Sequence, residues 1–332
     1  MLLTLRELFR NIVAYALLPV FIIIIGISFF LVYKIVFVTK DFRFWNKVKL
    51  GLSTIVIFSA ILLGYGYLWE RNIIEISNHT IVSKTLKTKK KFAVIADLHL
   101  GIWKDQNYLT KVVDKINSIE NLDYLLVAGD WTYHPNVIDL TKLFEPLKGV
   151  RVPVYGVLGN HDVEQPGEPY RAELLAALEK DNVKIIDEKY LDLGDFVLAG
   201  LGDRWGGEDD SNFLTQTSSR KPLVVIAHNP DSVRSYNVDS TKEVLTVTGH
   251  THCGQIRIPF LYKLALPVED SYFDKGWYDY NFESKKWYEV KSQNPILLQN
   301  NLFITCGTGE VGMQIRLFNP PIIDVIEILP KN

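Results

Sequence analysis

Five of the seven histidines in this chain follow short apolar runs, in the company of carboxylates and an amide. Phe92–Ala96 leads into Asp97-Leu98-His99. Tyr124–Ala128 leads into Gly129-Asp130, and Val154–Leu158 into Gly159-Asn160-His161-Asp162. Leu223–Ala227 is followed by His228-Asn229, and Val244–Thr248 by Gly249-His250-Thr251-His252; only His79 and His134 lie elsewhere. Imidazole, carboxylate and amide oxygen without a thiolate run suit divalent Mn, Fe or Zn in a reactive centre, not a structural zinc knuckle. The donors are too many for one ion. A bridging carboxylate such as Asp130 lets two cations sit roughly 3.5–4 Å apart. Glycines beside Asp130, Asn160 and His250 permit the sharp turns that bring such side chains close. Along an extended segment His250 and His252 would face opposite ways, so a turn must break the alternation to aim both inward.

The elements that must carry these residues are strands. Apolar runs at Phe92–Ala96, Tyr124–Ala128, Val154–Leu158, Phe196–Leu201, Leu223–Ala227, Val244–Thr248, Phe303–Cys306 and Ile322–Ile328 alternate with helical patterns. The helical stretches are Asn107–Ser118, the region around Val137–Leu147 and Arg171–Leu178. Such alternation predicts an α/β fold with several buried strands, and functional groups gather at the carboxyl ends of strands in such sheets. Pro259–Asn300, rich in Tyr, Trp and Lys and without clear period, is expected to form a long loop.

Ahead of this region, Asn11–Tyr33 and Leu50–Trp69 contain no charged residue. Each has about the length of a membrane-crossing helix. Residues 1–72 therefore read as a two-helix transmembrane hairpin (about 11–33 and 50–69), residues 73–91 as a basic linker, and 92–330 as the catalytic domain. Lys34, Lys40, Arg43, Lys47 and Lys49 crowd the connection between the helices. The positive-inside rule then puts that loop in the cytoplasm and the large domain outside. The cluster Lys84, Lys87, Lys89, Lys90, Lys91 argues the other way, since it suits an anionic cytoplasmic leaflet. Through Lys91 the chain has 13 Lys and Arg against 4 Asp and Glu; the remainder has 23 against 34. A domain that acidic excludes general nucleic-acid binding through phosphate neutralisation. Cys253 and Cys306 are the only cysteines, so no disulfide scaffold exists, although one bridge stays open.

The ordered blocks D-x-H, G-D, G-N-H-D, H and G-H-T-H resemble the five-block signature of the calcineurin-like metallophosphoesterases, across roughly Phe92 to Leu329. Gly249–Pro259, Gly307-Thr308-Gly309, Arg316 and Pro320-Pro321-Ile322 are similar to the bacterial membrane-anchored or exported phosphodiesterase branch. The resemblance implies the four-layer fold of that family, a two-sheet β-sandwich flanked by helices, with two metals at one edge. It implies Asp97, His99 and His252 on one ion, Asn160, His228 and His250 on the other, and Asp130 bridging. His161 matches the family's non-ligand histidine, which stabilises the transition state or protonates the leaving oxygen. Cys253, where the branch commonly has glycine, reads as a tolerated small residue.

One departure concerns His161. Many relatives carry an Asp three residues after the G-D aspartate, whereas this chain has Tyr133 there. Asp162 or a solvent network is left as a substitute partner. Trp131, Tyr133, His134, Arg204 and Trp205 are candidates for contact with a lipid or its head group. Arg257 and Arg316 match branch positions but read equally as ion-pair partners. The function implied is hydrolysis of a phosphodiester or phosphoanhydride near the bilayer of a bacterial inner membrane, on a substrate that is a phosphate ester or pyrophosphate and lipid-linked. A cytoplasmic domain would instead favour a UDP-2,3-diacylglucosamine pyrophosphatase of lipid A synthesis. The alternative of another class is an inactive metal-binding scaffold.

Overall fold

The computed structural model describes residues 22–40, 42–135, 139–163, 170–217, 220–236, 241–269, 272–291 and 295–331. The chain divides after Leu68 into two units. In the first, α1 (Ile22–Thr39) and α2 (Phe44–Leu68) are each long and apolar enough to cross a membrane. Phe29, Phe30, Ile55, Phe58 and Ile61 stand exposed on them, a surface suited to hydrocarbon. The expected start of the first helix, residues 11–21, lies outside the described residues. Both helices run further into the connection than expected, so Lys34, Lys47 and Lys49 belong to helix ends. Long lysine stems can cover apolar turns while the ammonium reaches outward.

In the second unit, β1 (Glu75–Ser83), β2 (Lys90–Ile95) and β3 (Leu100–Gly101) precede α3 (Gln106–Asn117). Next come β4 (Tyr124–Ala128), β5 (Thr132–Tyr133), α4 (Leu140–Phe144), β6 (Val154–Val157), α5 (Arg171–Lys180), β7 (Val183–Ile185), β8 (Lys189–Asp192) and β9 (Val197–Gly200). Then follow β10 (Leu223–Ile226), β11 (Val244–Thr248), β12 (Gly276–Asn281), β13 (Lys286–Glu289), β14 (Ile296–Leu297), β15 (Asn300–Ile304) and β16 (Ile322–Pro330). Two sheets result, ordered β14-β1-β16-β2-β4-β6-β7 and β13-β12-β15-β11-β10-β9-β8.

Strands β4, β9 and β10 carry no charged or amide residue because both of their faces are covered. In β4, Leu126 and Ala128 face the space between the sheets with Phe92, Val224, Ile226 and Val247, whereas Leu125 and Val127 join the outer core. That outer core is built with α3, α4 and α5, through Leu109, Val112, Leu143, Leu174 and Leu178. Asp105 starts α3 by accepting from Tyr108 N at 3.0 Å, and the helix then buries Leu109, Val112, Val113 and Ile116. The far face of the second sheet is covered by short 3-10 turns that bring in Leu214 and Val233. The architecture is therefore the expected α/β sandwich of two sheets flanked by helical elements. Strands β2, β4 and β6 run parallel in the first sheet, as do β9, β10, β11 and β15 in the second.

Two expectations need correction. Residues 73–91 are not a linker: β1 pairs with β16 through nine residues, from Glu75 opposite Ile322 to Ser83 opposite Pro330. Its run of Ser77, Asn78, His79 and Thr80 lacks apolar continuity because the strand is only half-covered. Pro259–Asn300 is not simply a loop either. It contains the β12–β13 hairpin, whose Trp277 and Tyr278 are buried as β12 pairs with β15.

Candidate metal centre

The strand ends converge. Asp97 follows β2, Asp130 follows β4, Asn160 follows β6, His228 follows β10, and His250 and His252 follow β11; all six are buried. Asp97, His99, Asp130, His250 and His252 adopt left-handed backbone, with φ between 46° and 67°. Each such residue costs on the order of 1 kcal/mol or more, and persists where the surroundings dictate it. Here they do. His99 N donates to Asp130 O at 3.1 Å, Asp97 N to Gly129 O at 3.0 Å, and His250 N to the Asp97 carboxylate at 3.1 Å. The left-handed turns at His250 and His252 break the strand alternation between them and bring both imidazoles into the cluster.

Donor atoms meet in sets. Nε2 of His228 lies 3.2 Å from Asp130 Oδ2, 3.0 Å from Asn160 Oδ1 and 3.0 Å from His250 Nδ1. Nε2 of His99 lies 3.0 Å from His252 Nε2 and 3.4 Å from the same Asp130 Oδ2; Asp97 Oδ1 lies 3.7 Å from His252 Nε2. Three overlapping groups are close enough to hold an ion: Asp97, His99, His252; His99, Asp130, His161; and Asp130, His228, His250.

The proton inventory supports metal binding. Nδ1 of His228 donates to Ala128 O at 2.9 Å, and Nε2 of His250 donates to Pro267 O at 2.7 Å. Neutral rings in those tautomers present His228 Nε2 and His250 Nδ1 as lone pairs, facing the oxygens of Asp130 and Asn160. Such a gathering of lone pairs repels itself unless a cation lies among them. The electrostatics say the same. Burial pushes His99 and His250 down to about 3, and His252 well below its ordinary value, so these rings are neutral as ligands must be. Burial also opposes charge on His228, yet Asp130, Asp97 and Asp203 push it up to about 10. Burial likewise disfavours charge on Asp130, but His228, His161 and His99 hold it well below the usual carboxylate range. Positive charge is wanted at this point, and a divalent ion supplies it as well as a proton does.

His161 stands at the margin. Its N donates to Asp130 Oδ1 at 3.0 Å, and its ring meets His99 and Tyr133 edge-on at 5.0 and 5.2 Å. Tyr133 thus stands at the position for which the resemblance implied Asp, and its ring packs on His161. Asp162 does not substitute. Its carboxylate accepts from Trp131 N, Thr132 N, Thr132 Oγ1 and Gly159 N at 2.9–3.1 Å, stapling the loops after β4 and β6 together.

Other sequence candidates sort by burial. Trp131 is fully buried and donates through Nε1 to Val157 O, so it is core and not a substrate contact. Arg316 is fully buried on the carbonyls of Cys306, Gly309 and Asn319. Arg257 pairs with Asp274 at 2.8 Å. Trp205 meets His250 edge-on at 4.7 Å while half of it stays exposed; neighbouring Arg204 pairs with Asp209 and Glu269. His134 packs against Tyr133 at 4.5 Å. Asp203, just after β9, was missed: it is buried and acts on His228. Gly202-Asp203 is one more polar strand end, so the signal was present. Cys253 also differs from expectation, being disulfide-bonded to Cys306. The turns at His252 and after β15 bring them to a Cα–Cα distance of 4.8 Å.

Two glycines are needed for this closeness. A Cβ at Gly249 would lie 2.8 Å from Asp97 Oδ2 and collide with Ala96; one at Gly159 would collide with the Asp130 carboxylate. Gly159→Ala is therefore expected to lower Mn affinity by roughly tenfold or more, through displacement of Asp130. Calorimetric titration of the chelator-treated protein is the check.

Comparison with known proteins agrees with this geometry. Residues 90–254 match the family model for calcineurin-like phosphoesterase. The chain is 25% identical to an uncharacterized metallophosphoesterase of Helicobacter pylori, covering 85% of this chain and 72% of that protein. It is 28% identical to the uncharacterized metallophosphoesterase Cj0846 of Campylobacter jejuni, over 77% of this chain and 64% of that one. Phosphodiesterase YaeI of Escherichia coli is 24% identical over 64% of this chain and 80% of its own length. Residues 90–254 thus form a calcineurin-like phosphoesterase domain in this chain. It is a hydrolase of the metallophosphoesterase class, with a divalent-metal site.

Proposed function

We propose that this protein is a membrane-anchored phosphodiesterase that uses two divalent ions and acts outside the cytoplasm on a membrane-proximal, lipid-linked substrate. One observation carries the dinuclear part: Asp130 Oδ2 lies within 3.4 Å of His99 Nε2 and 3.2 Å of His228 Nε2. A single carboxylate thus belongs to both donor sets. Asp97, His99 and His252 hold one ion, Asn160, His228 and His250 the other, with Asp130 shared. Mn, Fe or Zn fits this nitrogen and oxygen set. When bound, the ions supply an acidified water and positive charge for the phosphoryl oxygens.

The side chains do the rest. Pro267 O holds the Nε2 proton of His250 and leaves its Nδ1 free, while Ala128 O holds the Nδ1 proton of His228, so that an ion would displace only the proton on His228 Nε2. Asp97, held by His250 N, keeps its carboxylate aimed at the cluster. His161, anchored through its backbone to Asp130 and by its ring to Tyr133, serves as proton donor to the departing oxygen.

External placement is supported by two independent features. Lys34, Lys40, Arg43, Lys47 and Lys49 cluster at the adjoining ends of the apolar helices and in their connection, which favours that end in the cytoplasm. The Cys253–Cys306 disulfide suits an oxidising compartment. Both disfavour a nucleotide-lipid substrate, which is cytoplasmic. The test has two arms. Chelator-treated full-length protein should regain hydrolysis of an aryl phosphodiester on addition of Mn; no turnover with any of several divalent metals would leave only the scaffold reading. A reporter fused after Lys91 and active only outside the cytoplasm should be on, and silence there removes the external placement.

A further inference from the structure

The surface beside the metal centre is apolar in a way the fold does not need. Phe260 and Leu264 are 91% and 86% exposed, and Leu261, Met313, Phe318 and Ile102 are each more than half exposed. They come from three segments that are bonded to one another. Arg257 N donates to Leu317 O and Leu317 N to Gln255 O; the Gln255 amide donates to Val311 O and Met313 O. Ile102 N donates to Tyr133 O, and Tyr133 Oη accepts from Gly312 N. These segments frame the site. Tyr133 packs on His99 and His161, Asn319 Nδ2 donates to His252 O at 2.6 Å, and Pro267, just beyond the 258–264 loop, holds His250.

The same frame receives the chain from α2. The Glu70 carboxylate accepts from Asn319 N, and Arg71 pairs with Glu310 at 3.1 Å and donates to Gln314 at 3.1 Å. Lys104 Nζ, also on Glu310, donates to Arg71 O at 2.9 Å. Met313 and Phe318 lie within the stretch 310–319 that these bonds grip. Connectivity alone keeps Leu68, the end of α2, about 8 Å or less from Glu70, since consecutive Cα atoms are about 3.8 Å apart. The first residues past the apolar segment are thus tied into this frame.

We infer that Phe260, Leu261, Leu264, Met313, Phe318 and Ile102 form a rim that dips into the headgroup boundary of the bilayer carrying the protein, and opens the metal centre onto it. The inference rests on the membrane-anchored reading above and deepens it, since it makes the substrate a phosphodiester within the lipid layer. The occupant is lipid because Glu70 and Arg71, two and three residues past the end of the apolar α2 in sequence, are bonded into this frame. The loop composition fits as well: Phe260, Leu261 and Leu264 supply insertion, while Tyr262 and Lys263 suit the polar boundary.

The test uses full-length protein in vesicles of phosphatidylcholine and phosphatidylglycerol. Both native cysteines are paired, so Phe260→Cys, Leu264→Cys and, as a control on the exposed strand β8, Tyr190→Cys can each take one environment-sensitive fluorophore. Labels at 260 and 264 should shift to shorter wavelength and lose more than half their emission to lipid-borne quenchers, with the label at 190 unchanged. Labels at 260 and 264 that stay in water overturn the inference. So does an apolar shift that persists in detergent and disappears on dilution, because a second copy of the chain would then cover the rim. Mn-dependent hydrolysis of a soluble aryl phosphodiester, read on the unlabelled parent, separates the two readings. Turnover without quenching removes the rim alone, and quenching without turnover removes the enzymatic reading alone.

Discussion

Asp130→Asn is expected to reduce Mn-dependent phosphodiester hydrolysis by about 10²- to 10³-fold at saturating metal. The substitution keeps the shape and removes the one negative charge that both donor sets share. Removing one partner from a buried charged cluster costs roughly 3–5 kcal/mol, and each 1.4 kcal/mol is tenfold. The amide also brings two N–H donors to face His99 and His228, which is wrong for metal binding. Fold is not at stake, because His161 N can still donate to the amide oxygen as it does to Asp130 Oδ1. Steady-state kinetics across a Mn titration give the measure. Activity within tenfold of the parent at saturating Mn would falsify the shared-carboxylate reading.

The second large effect concerns stability. Reducing the Cys253–Cys306 bond, or replacing both cysteines by serine, should lower the melting temperature of the catalytic unit by roughly 4–16 °C. The bridge spans a sequence separation of 53. Loop-closure entropy for that length is worth about 4 kcal/mol at most, and delivered values run nearer 2–4. For a unit of this size each kcal/mol moves the midpoint by roughly 2–4 °C. A functional effect should accompany it. Cys253 directly follows His252 and itself has φ 50°, so the bridge clamps a strained turn that carries a donor. The Mn concentration for half-maximal activity should rise in the reduced protein. Scanning calorimetry with and without reductant, beside the same Mn titration, decides the matter; an unchanged midpoint rejects the clamp.

The donors were legible in sequence because polar groups at strand ends stand out against uninterrupted apolar runs. Asp97, Asp130, Asn160, His228, His250 and His252 each follow such a run, and all come together in space. Strands β4, β9 and β10 were legible for the same reason, since burial on both faces leaves no polar interruption in them. Where only part of a face is buried the signal fades. Strand β1 has Ser77, Asn78, His79 and Thr80 in its middle and lysines behind it, so it resembled a linker. Trp131 shows the converse: its neighbours are loop-like, but its ring fills the space beside Phe144 at 6.1 Å. The cysteine pair was illegible because two residues far apart in sequence carry no local trace of proximity. The exposed rim was illegible too, for a Phe or Leu in a loop reads alike whether it faces core or lipid.

The position of β1 also constrains how the molecule is made. This strand emerges just behind α2, yet its neighbours in the sheet are β14 and β16, which are translated only after the whole metal-bearing chain. Strand β2 likewise meets β16 on one side. At about 5–20 residues per second, β1 waits on the order of ten seconds or longer for its partners. During that interval the nascent chain carries β1 unpaired and β2 paired on one side only, with β4. Chaperones are the agents available to shield these edges until β16 arrives and closes the sheet.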